Sequence, residues 1–273
     1  MEHERKELLK MCEGKKEILL GDCLELMKDI PNGSIDMILC DLPYGTTACK
    51  WDTIIPFDKL WEQYERIIKP NGAIVLTASQ PFTTALINSN FKLFRYTLVW
   101  DKNFVTSPYL ANKRPMVCHE DIIVFYKQQP TYNPQKIKRT IDEFKRLAKT
   151  GRKTISVNEV YGNFNSKQTN REDNEYKHPK SIISIPTYHK TKSIHPTQKP
   201  TDLFEWLIKS YTNENDLVLD NTAGSGTTAL ACLNTNRQFI VMEKEQKYYD
   251  IILKRVADFN KNFEQQTLFG NEM

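Results

Sequence analysis

Short apolar runs alternate along this chain with stretches of helical period. Residues 17–20 and 35–40 are bounded apolar runs of strand length, with a helical segment at 23–29 between them. Apolar positions three and four apart predict a helix over 57–68, closed by a turn at Lys69-Pro70-Asn71-Gly72, and 73–77 predicts the next strand. A helix near 81–88 and strands at 95–100 and 121–126 complete the first half. From about 128 to 192 the periodicity fades into Pro, Asn, Lys, Thr and Tyr. It resumes as a helix at 201–211, a strand at 217–220, a helix at 227–233, a strand at 238–242 and a long helix from 245 to about 260. Strands and helices in alternation predict an α/β fold, a parallel sheet with helices on both faces. The expected organisation is 1–127 as one half of the domain, 128–192 as an insertion and 193–273 as the other half, with no internal repeat.

Composition narrows the class. A length of 273 residues holds one large α/β domain with a smaller module, and 40% hydrophobic content suits a globular chain. No apolar run reaches the roughly 18 residues of a membrane span. The charged opening Met1 to Lys6 lacks the apolar core of a secretory signal, so the expected location is cytoplasmic and no membrane partner is expected. The six cysteines form no CxxC pair and have no histidine at ligand spacing, which predicts reduced structural thiols and no metal site. Net charge is +4, but residues 127–195 carry 15 Lys and Arg against 6 Asp and Glu, a local +9 that leaves −5 elsewhere. A basic segment on a mildly acidic body fits a polyanionic partner such as nucleic acid, or a solvated lysine-rich insertion.

Two constellations carry candidate chemistry. In the first, the strand ending at Asp220 runs into Asn221-Thr222-Ala223-Gly224-Ser225-Gly226-Thr227-Thr228 and a helix. Small residues at the carboxyl end of a strand let a ligand approach the backbone. About twenty residues on, the next strand ends at Glu243, a spacing that suits a carboxylate accepting both hydroxyls of a ribose. No Walker lysine and no full GxGxxG is present, which disfavours ATP and NAD.

In the second, Asp41-Leu42-Pro43-Tyr44 stands at the end of the strand 35–40. An exocyclic amine of adenine or cytosine is a poor nucleophile because its lone pair is delocalised into the ring. A site that methylates it must accept its hydrogens in a geometry that lets the nitrogen pyramidalise. The Asp41 carboxylate and the Leu42 carbonyl can each accept one hydrogen. Pro43 stiffens the turn, and Tyr44 offers a face for an extruded base. A carboxylate is too weak a base to strip the amine outright, so orientation is the role.

With these residues in view, the sequence resembles the DNA amino-methyltransferases of restriction-modification, phage or orphan type, which act on adenine N6 or cytosine N4. Asp41-Leu42-Pro43-Tyr44 is similar to that family's (D/N/S)PPY motif, with Leu for the first Pro. The stretch 220–227 is similar to its DPFxGSGT cofactor loop, with Asn221-Thr222-Ala223 in place of the commoner residues. His195-Pro196-Thr197-Gln198-Lys199-Pro200 resembles its HPTQKP element, and Gly21-Asp22-Cys23 the element that binds the cofactor's adenine. Catalytic motif first and cofactor loop last is the order of the permuted β class, and the resemblance spans about 17–258, the insertion excepted.

The resemblance implies a seven-stranded Rossmann-like S-adenosylmethionine-dependent methyltransferase sheet with an inserted target-recognition region. It implies base flipping on double-stranded DNA and S-adenosylmethionine as cofactor. Asp22 would meet the adenine ring, with Cys23 beside it, and Glu243 the ribose. Lys199, Asp220, Gly224 and Thr227, with their neighbours Thr222, Ala223 and Ser225, would surround the methionine moiety. Asp at the motif's head favours adenine N6 over cytosine N4. In the insertion Lys136, Lys138, Arg139, Lys145, Arg146, Arg152 and Lys153 are the expected DNA contacts, through phosphate neutralisation. A homodimer and a cognate restriction endonuclease are partners such a system would have. Competing expectations are an N4-cytosine enzyme, an RNA or protein-glutamine methyltransferase, a catalytically inert DNA-binding subunit and a nucleotide-dependent binding module.

Overall fold

The computed structural model describes residues 16–47, 49, 52–106, 108–150, 175–187 and 198–269. The described chain divides into two compact units, one formed by Met1–Asn133 with Ser181–Met273, the other by Pro134–Lys180.

In the larger unit, β1 (Lys16–Leu20), α1 (Cys23–Leu26), β2 (Ile35–Asp41), α2 (Phe57–Ile67), β3 (Ile68–Ala78), α3 (Phe82–Ser89), β4 (Phe94–Thr106) and β5 (Val117–Phe125) come first. The smaller unit holds β6 (Ile137–Lys138), α4 (Ile141–Thr150) and β7 (Tyr176–Lys177), with β6 and β7 paired antiparallel. The larger unit resumes with β8 (Ile182–Ser184), α5 (Thr201–Tyr211), β9 (Leu217–Asp220), α6 (Thr227–Asn234), β10 (Gln238–Glu243) and α7 (Gln246–Phe269).

Eight strands form one sheet in the order β1-β10-β9-β2-β3-β5-β4-β8. Only β5 runs against its neighbours, so the sheet is mixed. The eighth strand corrects the expected count of seven. It comes from the stretch assigned to the insertion, where three residues are too few to declare a period. Ile183 is buried there and Ile182 is 60% exposed, and the pairing with β4 extends through the Ile185 and Thr187 amides. The expected turn at Lys69-Pro70-Asn71-Gly72 is instead an irregularity within β3, where the pairing with β2 steps from Ile35↔Ile68 to Met37↔Ala73. A Cβ on Gly72 would lie 2.8 Å from the Asp36 carbonyl oxygen, so the close approach of the two backbones requires glycine there.

Both faces of the central strands are buried. Ile38 and Cys40 of β2 join the core under α2 and α3, with Leu60, Tyr64, Ile67 and Leu86. Met37 and Leu39 join the core under α5, α6 and α7, with Phe204, Leu207, Ala229 and Ile252. A strand covered on both sides reads as a continuous apolar run, as 37–40 does. The chain leaves β2 toward β3 on one side, while β9, β10 and β1 extend the sheet on the other. The carboxyl ends of β2 and β9 therefore flank the point where the strand order reverses, the usual crevice of open α/β sheets.

Candidate active site

Pairing of β2 with β9 brings together residues far apart in sequence. Thr222 Oγ1 donates to the Asp41 carbonyl at 3.1 Å, and Cys40 Sγ donates to Asn221 Oδ1 at 2.9 Å. Tyr64 of α2 donates to the same Asn221 oxygen at 2.5 Å. Asn221 and Thr222, the residues that depart from the resembled loop, thus stitch that loop to β2 by polar contacts.

The Asp41 carboxylate is the centre of a dense network. Its Oδ1 accepts from Tyr44 Oη at 2.8 Å and from Thr77 Oγ1 at 2.5 Å, and its Oδ2 accepts from Lys199 Nζ at 2.7 Å. Burial opposes charge on Lys199, but Asp41 and Glu120 outweigh it and raise the ammonium's pKa. The Leu42 side chain is 4% exposed and packs in the core beneath α2, a place that leucine fills as well as proline would. Tyr44 stacks on Phe82 at 5.1 Å between ring centroids, and Lys199 Nζ stands 5.7 Å from the Tyr44 centroid. Burial, then the carboxylates of Asp41 and Glu120, push the Tyr44 phenol pKa upward, so it stays a donor. The loop beyond is closed by Asp52, which accepts the amides of Gly45, Thr46 and Thr47 at 2.7 to 2.9 Å.

The glycine-containing loop forms the opposite wall. Asp220 is buried, accepting the Thr222 amide at 3.0 Å and the Thr228 hydroxyl. Burial lifts its pKa to about 7 against those two bonds. Glu243 Oε2 accepts the Gly224 amide and Oε1 the Glu245 amide, both at 2.8 Å. Gly226 has φ +81°, and a Cβ there would meet Ile252 of α7 at 2.9 Å. The Ala223 amide bonds to the Met242 carbonyl, Ser225 accepts from Arg255, and Thr227 Oγ1 donates to the Lys199 carbonyl at 3.4 Å. Asp22 caps α1 by accepting the Leu24 amide, and the half-buried Cys23 follows it.

One cavity of about 630 Å³ is lined by both walls, from Asp22 and Glu243 through Gly224 to Asp41, Tyr44 and Lys199. All the expected catalytic and cofactor residues line it, Leu42, Pro43, Cys23, Asp220, Thr222, Ala223, Ser225 and Thr227 included. Lys199 directs its ammonium to Asp41 and Glu120. Pattern reading missed Thr77, Lys102, Glu120 and Asp52. The partners of each lie on other elements or across a loop, so a single sequence gives no sign of them.

The expected DNA contacts that the structure describes belong to the smaller unit. Lys136, Lys138, Lys145 and Arg146 are exposed there and Arg139 is half-buried, while Arg152 and Lys153 lie outside the described residues, as do His195, Pro196 and Thr197. Among the described residues no cluster of His, Cys, Asp and Glu could hold a metal ion, and no helix is long and apolar enough to cross a membrane.

Comparison with known proteins adds to this geometry. A family model described as DNA methylase matches residues 35–254. The Type II methyltransferase M.BglII of Bacillus subtilis is 28% identical over 273 residues, covering 90% of this chain and 71% of its own length. The DNA adenine methyltransferase YhdJ of Escherichia coli (strain K12) is 28% identical, covering 88% of this chain and 82% of its own length. Among solved structures, the M1.HpyAVI-SAM complex superposes with a TM-score of 0.58 at 23% identity, covering 88% of this chain and 98% of that one. The cytosine-N4-specific PvuII DNA methyltransferase superposes with a TM-score of 0.61 at 18% identity, covering 88% of each chain.

Proposed function

Since the chain belongs to the DNA methylase family of N6 and N4 amino-methyltransferases, we propose that it methylates the N6 amino group of adenine in double-stranded DNA, using S-adenosylmethionine. The observation that carries this reading is the junction of the Asp41-Leu42-Pro43-Tyr44 turn with the glycine-containing loop in one cavity. Aspartate at the head of that turn, and a relative named as a DNA adenine methyltransferase, support adenine as the base.

The cavity suits S-adenosylmethionine. Its volume lies within the roughly 300–1,000 Å³ of ligand pockets. Each Glu243 oxygen accepts one backbone amide, which leaves a lone pair on each for the two ribose hydroxyls. Asp22 Oδ2 is 3.4 Å from Lys244 and retains acceptor capacity for an adenine amine. The loop at Gly224 presents backbone to the cavity with no side chain in the way. When bound, the cofactor supplies an electrophilic methyl group.

The protein's part is orientation. Asp41 Oδ2 and the Leu42 carbonyl accept the two amine hydrogens and let the nitrogen pyramidalise, which withdraws its lone pair from the ring and aims it at the methyl group. Phe82 stacks on Tyr44 and holds its ring as a flat surface for the planar base. Tyr44 and Thr77 hold Oδ1, so the carboxylate cannot rotate away. The nitrogen sheds its extra proton to Asp41 or to solvent. Lys136, Lys138, Arg139, Lys145, Arg146, Arg152 and Lys153 serve the DNA backbone, in a recognition unit spanning roughly the insertion. Such a reaction belongs in the cytoplasm. A cognate endonuclease and a homodimer would be further partners, checked by co-purification and by sedimentation.

The test is incubation of double-stranded DNA with the protein and labelled cofactor, followed by chromatography of the nucleosides. N6-methyladenine is the expected product. N4-methylcytosine alone would overturn the choice of base, and absence of transferred label would overturn the activity.

A further inference from the structure

Lys102, Glu120, Lys199 and Asp41 form an unbroken row of alternating charges along one wall of the cavity. Lys102 Nζ is 2.5 Å from Glu120 Oε1, Lys199 Nζ is 3.2 Å from Glu120 Oε2, and Lys199 Nζ is 2.7 Å from Asp41 Oδ2. The side chains come from four places: Asp41 from β2, Lys102 from β4, Glu120 from β5 and Lys199 from the lead into α5. All four are largely buried, Lys199 most of all at 6% exposed. We propose that Glu120 is a positioning residue that sets the charge of this site: it offsets Lys199, and so leaves the negative charge of Asp41 to the reacting amine.

This inference rests on the methyltransferase reading and deepens it. As the new N–C bond forms and the old S–C bond breaks, the electron pair of the broken bond stays on sulfur. Positive charge passes to the nitrogen, which then loses its proton to Asp41 or to solvent. A site that must tolerate a cation throughout is poorly served by two buried ammoniums against one carboxylate. With Glu120 the row sums to zero, whereas without its charge the row sums to +1. Burial would raise the Glu120 pKa, but Lys199 and Lys102 together hold it below the ordinary range, so the charge is present at neutral pH. Glu120 Oε2 is buried, and Lys199 Nζ reaches it at 3.2 Å as an ion pair. It acts on Lys199 through charge, which the low dielectric of the interior strengthens.

The proposal is tested by calorimetric titration with S-adenosylmethionine, a cation, and with its neutral product S-adenosylhomocysteine. The readout is the ratio of their dissociation constants, donor over product. Glu120→Gln should raise this ratio roughly fivefold to tenfold, as expected for one uncompensated charge in a partly buried site, and Glu120→Asp should leave it near that of the wild type. Lys102→Met alone should lower it, because the row then sums to −1. Glu120→Gln combined with Lys102→Met restores neutrality and should return the ratio toward the wild-type value. In parallel kcat should fall in Glu120→Gln, with KM for DNA nearly unchanged, and should partly recover in the double variant. An unchanged ratio in Glu120→Gln and Lys102→Met, or a double variant no better than Glu120→Gln, would overturn the proposal. A wild-type protein that binds neither compound would instead overturn the methyltransferase reading and this inference with it.

Discussion

Asp41 binds two hydroxyls and an ammonium through its two oxygens, and one lone pair on Oδ2 is left for a substrate hydrogen. Asp41→Asn keeps the shape of the group but replaces one acceptor oxygen with a donor. Methyl transfer should fall by at least roughly a hundredfold, comparable to the loss of one preorganised electrostatic contact at an active site. Binding of S-adenosylhomocysteine should stay within severalfold, because the residues proposed to hold it form the other wall. Turnover near that of the wild type would remove Asp41 from the chemistry. Asp220 makes a separate prediction. Its folded pKa of about 7 lies above the unfolded value near 4, so the folded state takes up a proton between these limits. The stability this gives is complete below about pH 4 and is lost as pH rises through about 7. Asp220→Asn carries no such proton, so thermal melts from pH 5 to 8 should show the variant gaining on the wild type as pH rises. A constant difference would mean that the carboxyl is already charged when folded.

Among elements, the loop from Gly45 to Asp52 shows how a local contact can serve the site. Burial would raise the Asp52 pKa, but bonds from the Thr47 side chain and from the Gly45, Thr47 and Thr46 amides outweigh it and lower the value. A lowered folded pKa contributes stability that is present above the unfolded value near 4 and lost as pH falls through the folded one. Asp52→Ala should therefore cost about 1–3 kcal/mol at pH 7, the cost of leaving bonded amides without an acceptor. The deficit should shrink in melts below about pH 4, and a deficit independent of pH would assign the loss to packing. The helices at 201–211 and 57–67 and the strands at 35–41 and 217–220 were legible because each buries a complete apolar face. β8 was not, because a three-residue edge strand is specified by β4 beside it rather than by its own period.

At the scale of the molecule, the basic excess over 127–195 predicts how DNA is held. Replacing Lys136, Lys138, Lys145 and Arg146 together with Ala should weaken binding and flatten the plot of log affinity against log salt. Each lost phosphate contact should remove about 0.9 from the slope. Fluorescence titrations at several salt concentrations read this directly, and an unchanged slope would move the DNA face elsewhere. The compact unit Pro134–Lys180 is shorter than the segment in which periodicity fades. Asn133 at one border bonds to the Thr212 carbonyl at the end of α5, and 181–187 at the other runs along β4, so the ends of the aperiodic stretch belong to the larger unit.

The sequence by itself determined the α/β class, the two chemical half-sites and their order along the chain. These are properties of local runs: apolar period, small residues at a strand end, and motifs of four to eight neighbours. Only the tertiary structure decided that Cys40 meets Asn221 and Asp41 meets Thr222 across the β2–β9 pair, and that Lys199 belongs to Asp41 and Glu120. The reason is physical. Register between strands, and the pairing of buried charges, depend on which elements the sheet brings side by side, and no periodicity within a single element encodes that.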